Sequence, residues 1–158
     1  MSTLIFRRAE TGDAGVLHEM LKQIGRFHAE GRPDLFRDDA CKASEEEIRS
    51  ILLCPDTPVF VAEKDGCVIA YAYLQYRMIK DHPVRRDTVE AFLDDFYVEE
   101  SSRRQGIGNQ LIRFAMAEAK NAGADTFLLN VYEFNRGAID FYDRLGLTTR
   151  ARYMECKL

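Results

Sequence analysis

Residues 91–113 read AFLDDFYVEESSRRQGIGNQLIR, and this stretch organises the chain. Its first part, 91–98, carries aromatic and β-branched side chains that favour a buried strand. A basic turn with two glycines follows, and apolar residues then recur every three or four positions from Ile107 to about Asn121, as in an amphipathic helix. Backbone N–H groups at a helix start lack intrahelical partners and carry partial positive charge. The stretch therefore predicts a strand, an anion-binding turn and a helix.

Two common phosphate-binding motifs do not fit this turn. A P-loop requires Lys-Ser/Thr after its last glycine, whereas Gly108 is followed by Asn109 and Gln110. A dinucleotide fingerprint requires a third glycine where Leu111 stands. The turn therefore belongs to another class of anion site.

Composition indicates one domain, 1–158, of an ordinary globular protein. The chain has 158 residues, of which 46% are hydrophobic and 30% charged. The formal net charge of −4 disfavours general nucleic-acid binding. No apolar run approaches the ~18 residues of a membrane span, and no secretory signal is recognisable. We therefore expect a cytoplasmic protein without membrane or nucleic-acid partners.

The four cysteines are scattered along the chain without CxxC spacing. Neither a zinc site nor a disulfide framework is indicated, and we expect no metal. The cysteines are Cys41, Cys54, Cys67 and Cys156.

Periodicity and turn signals predict the order βααββ(β)αβαβ, which is an α/β (α+β) sheet with helices on both faces. A capping box at Ser44 and Glu47 starts the second helix, Asp65-Gly66 forms a hairpin turn, and Asn135 and Gly146 bound the last helix. The expected strands are 4–8, 59–63, 67–76, 91–98, 126–132 and 148–158. Residues 77–87 are polar and are expected to form a loop.

A second motif, NRGAIDFYDRLGL at 135–147, indicates a family. It resembles the pattern Asn-x-x-Ala-x-x-Phe-Tyr-x-x-x-Gly-Phe of the GNAT superfamily of N-acyltransferases, with Leu147 replacing the final Phe. Residues 103–108 resemble the acyl-CoA-binding motif of the same superfamily, Gln/Arg-x-x-Gly-x-Gly/Ala. The resemblance extends from about Phe60 to the C-terminus.

The resemblance implies a fold and a cosubstrate. It implies a mixed sheet of six to seven strands, with acyl-CoA in the cleft between two splayed parallel strands that end near Val98 and Val131. Acetyl-CoA is the expected acyl donor. The backbone of Phe96, Tyr97 and Val98 would pair with the pantetheine arm, and one of these N–H groups would polarise the thioester carbonyl. The pyrophosphate would be held by Arg103, Arg104, Gln105, Gly106, Ile107, Gly108 and Asn109. Asn135 would contact pantetheine.

Amine acylation requires proton transfers that two residues are expected to support. An alkylammonium with a pKa of ~10.4 must lose its proton before it can attack. The resemblance places the Tyr142 hydroxyl near the thioester sulfur, as general acid. From periodicity alone, Tyr142 is more typical of a core tyrosine.

Asp94 and Asp95 lie inside the central strand, where neighbouring side chains point to opposite faces. Asp94 is the candidate base, acting directly or through water, and Asp95 is a candidate for attracting a cationic acceptor. A solvated strand end is the alternative. Phe36, in the loop between the first two helices, is a further candidate acceptor contact, although a plain connector is equally compatible with the sequence.

The resulting hypothesis is an N-acetyltransferase in which a small cationic amine attacks acetyl-CoA directly in a ternary complex. No cysteine lies in either motif, which disfavours a ping-pong route. Acetylation of a protein N-terminus or lysine, and a non-catalytic acyl-CoA-binding regulator, remain alternatives. The sequence leaves a homodimer open.

Overall fold

The computed structural model describes residues 3–38 and 41–158. Short 3₁₀ turns at Thr11–Asp13 and Glu100–Ser102 precede two of the helices. In chain order the elements are β1 (Leu4–Arg8), α1 (Ala14–Gly31), α2 (Glu45–Leu53), β2 (Val59–Lys64), β3 (Cys67–Ile79), β4 (Thr88–Val98), α3 (Ile107–Asn121), β5 (Thr126–Leu129) and α4 (Arg136–Arg144).

The strands form one mixed sheet in the order β1-β2-β3-β4-β5. Its first three pairs are antiparallel and β4 pairs with β5 in parallel. The prediction of six to seven strands is not confirmed, because residues 148–158 adopt no strand in the described chain. Strand propensity alone does not make a strand, since a β-strand exists only where a neighbour supplies the ladder hydrogen bonds.

Helices cover both faces of the sheet, as predicted, and divide the core in two. Alternation along β3 sends Ala70, Ala72 and Leu74 to one face and Tyr71 to the other. The first face packs against α3, with Phe141 and Tyr142 of α4 at its margin. The second face packs against α1 and α2. The sheet is therefore held rigidly between two apolar layers.

The predicted helix caps and hairpin turn are present in the structure. The Ser44 hydroxyl accepts a hydrogen bond from the Glu47 amide, and the Glu47 carboxylate accepts one from the Ser44 amide. The helix α2 therefore begins with the predicted capping box. Asp65 and Gly66 both have positive φ in the β2–β3 hairpin. Gly146, which follows the C-cap residue Leu145 of α4, has a φ of 89°.

Strand lengths differ from those predicted. β3 continues to Ile79 and β4 begins at Thr88, so the expected loop 77–87 is shorter. The Arg77 guanidinium lies 3.7 Å from the centre of the Phe92 ring, which lets a charged residue cover an apolar surface within the strand. In contrast, β5 ends at Leu129 rather than at Tyr132.

An ion-pair network joins β1 to the start of α1 and supports a stability prediction. Arg7 pairs with Asp13 at 2.7 Å and with Glu63 at 2.8 Å. The Arg7 hydrogen bond, opposed by burial, lowers the pKa of Asp13 below its ordinary 3.8. Because the folded pKa is lowered, the stability that Asp13 contributes is fully present above pH 3.8 and is lost as the pH falls through the lowered value.

Asp13→Asn is therefore expected to reduce the free energy of unfolding at pH 7 by about 2 kcal/mol. Urea unfolding of variant and wild type at pH 7 and at acidic pH measures this difference in the free energy of unfolding. The loss should shrink at acidic pH, where wild-type Asp13 is itself protonated. Asp140→Asn, which changes an exposed carboxylate of α4, should leave both values near wild type. A loss for Asp13→Asn that does not depend on pH would contradict this explanation.

Candidate active site

The sheet opens between β4 and β5. The parallel ladder joins Glu90, Ala91, Phe92 and Leu93 to 126–129. β4 then continues to Val98, and beyond Leu93 it has no β5 partner in the described residues. A parallel pair that separates part-way leaves backbone N–H and C=O groups of one strand facing a gap. This gap lies where the sequence resemblance implies an acyl-CoA cleft.

The helix α3 begins beside this gap with a set of unused backbone donors. Among the residues described, the amides of 104–109 donate to no acceptor within the protein. Gly106 has a φ of 77° and Arg104 a φ of 61°, so two left-handed residues shape the turn. Left-handed φ is strained for arginine, and such strain is typical of binding sites. These unused amides cluster at a helix N-terminus, an arrangement that favours an anion.

The side chains of the turn have different partners. Arg103 Nε donates to the Val98 carbonyl at 2.9 Å, and its guanidinium lies 5.5 Å from the centre of the Tyr97 ring. Gln105 donates to the Ser101 carbonyl. The Asn109 side chain accepts from Arg113. Arg104 is exposed, and it forms no ion pair within the described chain. Arg103 therefore anchors the turn to β4, and Arg104 is the side chain available to an anion.

The second glycine of the turn has a packing role. A Cβ on Gly108 would lie 3.1 Å from the Phe96 ring and 3.4 Å from Val98. Only a residue without a side chain lets the first turn of α3 approach β4 this closely. Gly106 serves the turn conformation, and Gly108 serves the contact between helix and strand.

The helix α4 reaches β4 beyond the end of the β4–β5 ladder. Phe141 stacks on Phe96 with ring centres 5.5 Å apart. Tyr142 follows, half-buried, and burial raises the pKa of its hydroxyl well above the ordinary 10.0. The phenol therefore keeps its proton and can act as a donor. Asn135 caps α4 by accepting from the Ala138 amide at 3.1 Å, so the structure gives Asn135 a helix-capping role.

A β-bulge changes the expected arrangement of the two aspartates. In the β3–β4 ladder Tyr73 pairs with Asp95, and Leu74 pairs with Leu93, so Asp94 is the extra residue. An extra residue interrupts the alternation of side chains. Asp94 and Asp95 therefore lie on the same side of the sheet, where both contact one ammonium group. The prediction that they point to opposite faces was wrong.

That ammonium belongs to Lys42, in the segment before α2. Lys42 Nζ donates to Asp94 Oδ2, and to Asp95 Oδ2 at 2.9 Å. Burial and repulsion by Asp94 raise the pKa of Asp95, although Lys42 partly opposes them. Burial opposes the charge of Lys42, but the two carboxylates outweigh it and raise the pKa of Lys42. Asp94 and Asp95 together therefore hold one primary ammonium, that of Lys42.

A cavity of about 140 Å³ extends from this site into the layer between the sheet and the α1–α2 pair. Tyr71 lines the cavity and is 2% exposed, and its buried hydroxyl has no hydrogen-bond partner in the part of the chain described. The other lining residues are Leu17, Leu21, Lys42, Ala43, Ile48, Ile51, Val59, Tyr73, Gln75, Asp94 and Asp95. Sequence reasoning missed both Lys42 and Tyr71, since neither lies in a motif.

Phe36 lies in an aromatic cluster rather than in the cavity wall. Its ring stacks on His28 at 5.1 Å and meets Tyr132 edge-on at 5.3 Å. Phe134 packs over Gly31, where an added Cβ would lie 2.1 Å from the ring. Burial and the positive charge of Lys42 lower the pKa of His28. The charge of Lys42 therefore acts on His28 in this cluster, and contact between Phe36 and an acceptor stays a prediction.

Two kinds of feature are absent from the described residues. Residues 3–38 and 41–158 contain no group of three or more His, Cys, Asp or Glu placed to hold a metal ion. In the same residues no helix has the length and apolar character needed to cross a membrane.

Comparison with known sequences gives consistent matches. The family model described as "Acetyltransferase (GNAT) family" matches residues 20–147. Thialysine N-epsilon-acetyltransferase of Sus scrofa is 26% identical over 156 residues, which covers 92% of this chain and 85% of that protein. Aminoglycoside N(6')-acetyltransferase type 1 of Klebsiella aerogenes is 26% identical over 125 residues, which covers 77% of this chain and 81% of that protein.

Solved structures share the fold. A mutant of the BH1408 protein from Bacillus halodurans superimposes with a TM-score of 0.92 at 24% identity, covering 98% of this chain and 99% of that one. The aminoglycoside N-acetyltransferase AAC(6')-Iy in complex with CoA gives a TM-score of 0.77 at 22% identity, covering 100% and 96%. At these identities the likeness establishes a common architecture.

Proposed function

This chain belongs to the acetyltransferase (GNAT) family, and we propose that it transfers an acetyl group from acetyl-CoA to a primary amine on a small cationic acceptor. The observation that carries the proposal is the ammonium of Lys42 held by Asp94 and Asp95 beside the opening between β4 and β5. A site that already holds an alkylammonium next to a strand with free backbone groups has the two elements that amine acetylation requires.

The residues around the opening fit a CoA ester. The free amides of 104–109 and the Arg104 guanidinium match the charge of a pyrophosphate. The edge of β4 at Phe96, Tyr97 and Val98 has no β5 partner in the described residues, although the Val98 carbonyl accepts from Arg103. This edge suits an extended arm with amide groups, in the manner of an added strand. Acetyl-CoA, when bound, would supply an activated acyl carbonyl. The N–H groups on this edge are candidates for polarising it.

The protein's own groups would handle the protons. The acceptor ammonium has to lose a proton to become a nucleophile, and Asp94 would accept it directly or through a water molecule. Asp95, with its raised pKa, would hold the amine in place and share in the transfer. Tyr142, with its raised pKa, would donate a proton to the departing thiolate. This division assigns the proton of the acceptor to Asp94 and Asp95, and the proton of the leaving thiol to Tyr142, in a direct transfer.

The similar proteins support an amine acceptor without identifying it. One relative is named for thialysine and another for an aminoglycoside, and both compounds carry primary amines. The paired carboxylates favour such a cationic small molecule over a protein N-terminus or lysine. Two alternatives are distinguished by the assay described below. One is acetylation of a protein N-terminus or lysine, and the other is a regulator that binds acyl-CoA without turnover.

Two wider expectations belong to the same proposal. A cytoplasmic location is supported by the free cysteines of the described residues, since thiols stay reduced in that compartment. A homodimer is supported by the extended C-terminal segment, in which Tyr153, Met154 and Leu158 are fully or almost fully exposed. Apolar side chains in such a segment would gain stability by packing against a second copy.

An acetylation assay with a panel of amines tests the proposed function. Wild-type protein, acetyl-CoA and either thialysine, an aminoglycoside or a lysine-containing peptide would be incubated, and release of the CoA thiol would be followed together with product mass. We expect transfer to at least one small amine. Asp94→Asn should lower kcat/KM about a hundredfold through loss of the base, whereas Asp140→Asn should not. Transfer to the peptide but to neither small amine would show that the acceptor is a protein lysine or N-terminus. Equal rates in wild type and Asp94→Asn would reject Asp94 as the base.

A further inference from the structure

We infer that Lys42 is a built-in competitor for the acceptor site, and that an acceptor must displace its ammonium from Asp94 and Asp95. The inference rests on the proposed function and deepens it, because it identifies what distinguishes an accepted amine from a rejected one. The acceptor class that follows is a primary ammonium on an unbranched apolar stem.

The geometry presents Lys42 as a removable occupant. Its side chain is 52% exposed, whereas those of Asp94 and Asp95 are 16% and 9% exposed. The carboxylates are carried by the bulge of β4, which the ladder with β3 holds in place. Lys42 lies between α1 and α2, and the described residues around it, 41–44, form neither helix nor strand. The aspartates are therefore the rigid partners, and Lys42 is the partner that can leave.

Charge alone gives an acceptor no advantage over Lys42. Exchanging one ammonium for another leaves the charge of the site unchanged. Adding a second ammonium beside Lys42 would place two like charges within contact distance, which is unfavourable in a half-buried site. An accepted amine therefore needs contacts that Lys42 does not already make.

The cavity behind the aspartates offers such contacts. Its walls include Leu17, Leu21, Ile48, Ile51 and Val59, which favour an aliphatic stem. Each methylene buried there is worth about a fourfold gain in affinity. The buried hydroxyl of Tyr71, unpaired in the described residues, is a second and independent feature that a ligand would satisfy.

Calorimetric titration with n-butylamine and ethylamine hydrochlorides, in the presence of CoA, tests the inference. Lys42→Met keeps an unbranched apolar stem and removes the ammonium. This variant should bind n-butylammonium at least about tenfold more tightly than wild type, because the tethered ammonium of Lys42 competes at an effective concentration in the millimolar range. Lys42→Arg keeps the charge and should bind no more tightly than wild type. Lys120→Met removes an exposed lysine from the last turn of α3 and serves as the matched control.

Two further results locate the effect. Adding Asp95→Asn to Lys42→Met should abolish the gain, because the site would lose a carboxylate. In Lys42→Met, n-butylammonium should bind more tightly than ethylammonium by about fourfold for each of the two extra methylenes. Lys42→Gln provides a second neutral variant if Lys42→Met fails to fold, as judged by thermal unfolding.

Equal affinity of wild type and Lys42→Met for n-butylammonium would overturn the inference, as would equal affinity of Lys42→Met for the two amines. Titration of the same variants with acetyl-CoA separates this failure from a failure of the proposed function. Normal acetyl-CoA binding with an unchanged amine affinity would reject only the role of Lys42. Absence of acetyl-CoA binding by folded wild type would reject the proposed function itself.

Discussion

Gly106→Pro is expected to weaken acetyl-CoA binding at least about a hundredfold, because it damages the anion site at the start of α3. Gly106 has a φ of 77°, whereas proline requires a φ near about −65°. Proline also removes the Gly106 amide and forces the neighbouring amides out of alignment. Loss of two charge-assisted hydrogen bonds at about 1.5 kcal/mol each corresponds to a factor of at least about a hundred. Calorimetric titration of the variant and wild type with acetyl-CoA measures this change in affinity.

Gly123 provides the matched control at the other end of the same helix. It also has a left-handed φ, 90°, and its amide donates to the Lys120 carbonyl at 3.0 Å. Gly123→Pro should therefore cost at least as much folding stability as Gly106→Pro while leaving acetyl-CoA affinity unchanged. Equal losses of affinity in both variants would mean that general destabilisation, rather than the anion site, explains the result.

Tyr142→Phe is expected to lower kcat about a hundredfold without changing the affinity for acetyl-CoA. General acid catalysis contributes about a hundredfold or more in enzymes. Burial raises the pKa of Tyr142 above 10.0, so the phenol keeps its proton in alkaline assays and remains able to donate it. Among the described residues burial raises this pKa without a contribution from a hydrogen bond, so removing the hydroxyl should cost little stability. Steady-state kinetics and calorimetry measure the two quantities.

Tyr76→Phe is the control for this substitution. Tyr76 packs against the same core, and burial also raises its pKa. It lies on β3, where the structure gives it no part in the opening between β4 and β5. Tyr76→Phe should keep full activity. If Tyr142→Phe also kept full activity, Tyr142 would be a core residue, as its periodicity alone suggests.

Local chemistry made much of the fold predictable. The Asp65-Gly66 turn, the Ser44 capping box and the terminal Gly146 each act through neighbours in sequence, and all three formed as expected. The central strand and α3 followed from periodicity. Residues 148–158 did not form the expected strand, because strand formation depends on a partner that local sequence cannot supply.

The acceptor side of the candidate site was less predictable, because it depends on contacts between distant segments. The bulge at Asp94 arises from the register of β4 against β3, and it moved Asp94 to the same side as Asp95. Lys42 reaches Asp94 across 52 positions of sequence and Asp95 across 53. Tyr71 shows only the alternation of a buried strand, and its unpaired hydroxyl becomes visible only in three dimensions.

Calorimetric titration of wild-type protein with acetyl-CoA tests the central claim most directly. The account predicts one-to-one binding in the micromolar range, with the affinity reduced by salt because the pyrophosphate contributes through charge. Desulfo-CoA should also bind, since the anion site and the β4 edge do not require the acyl group. Absence of binding by a protein shown to be folded by thermal unfolding would contradict the account.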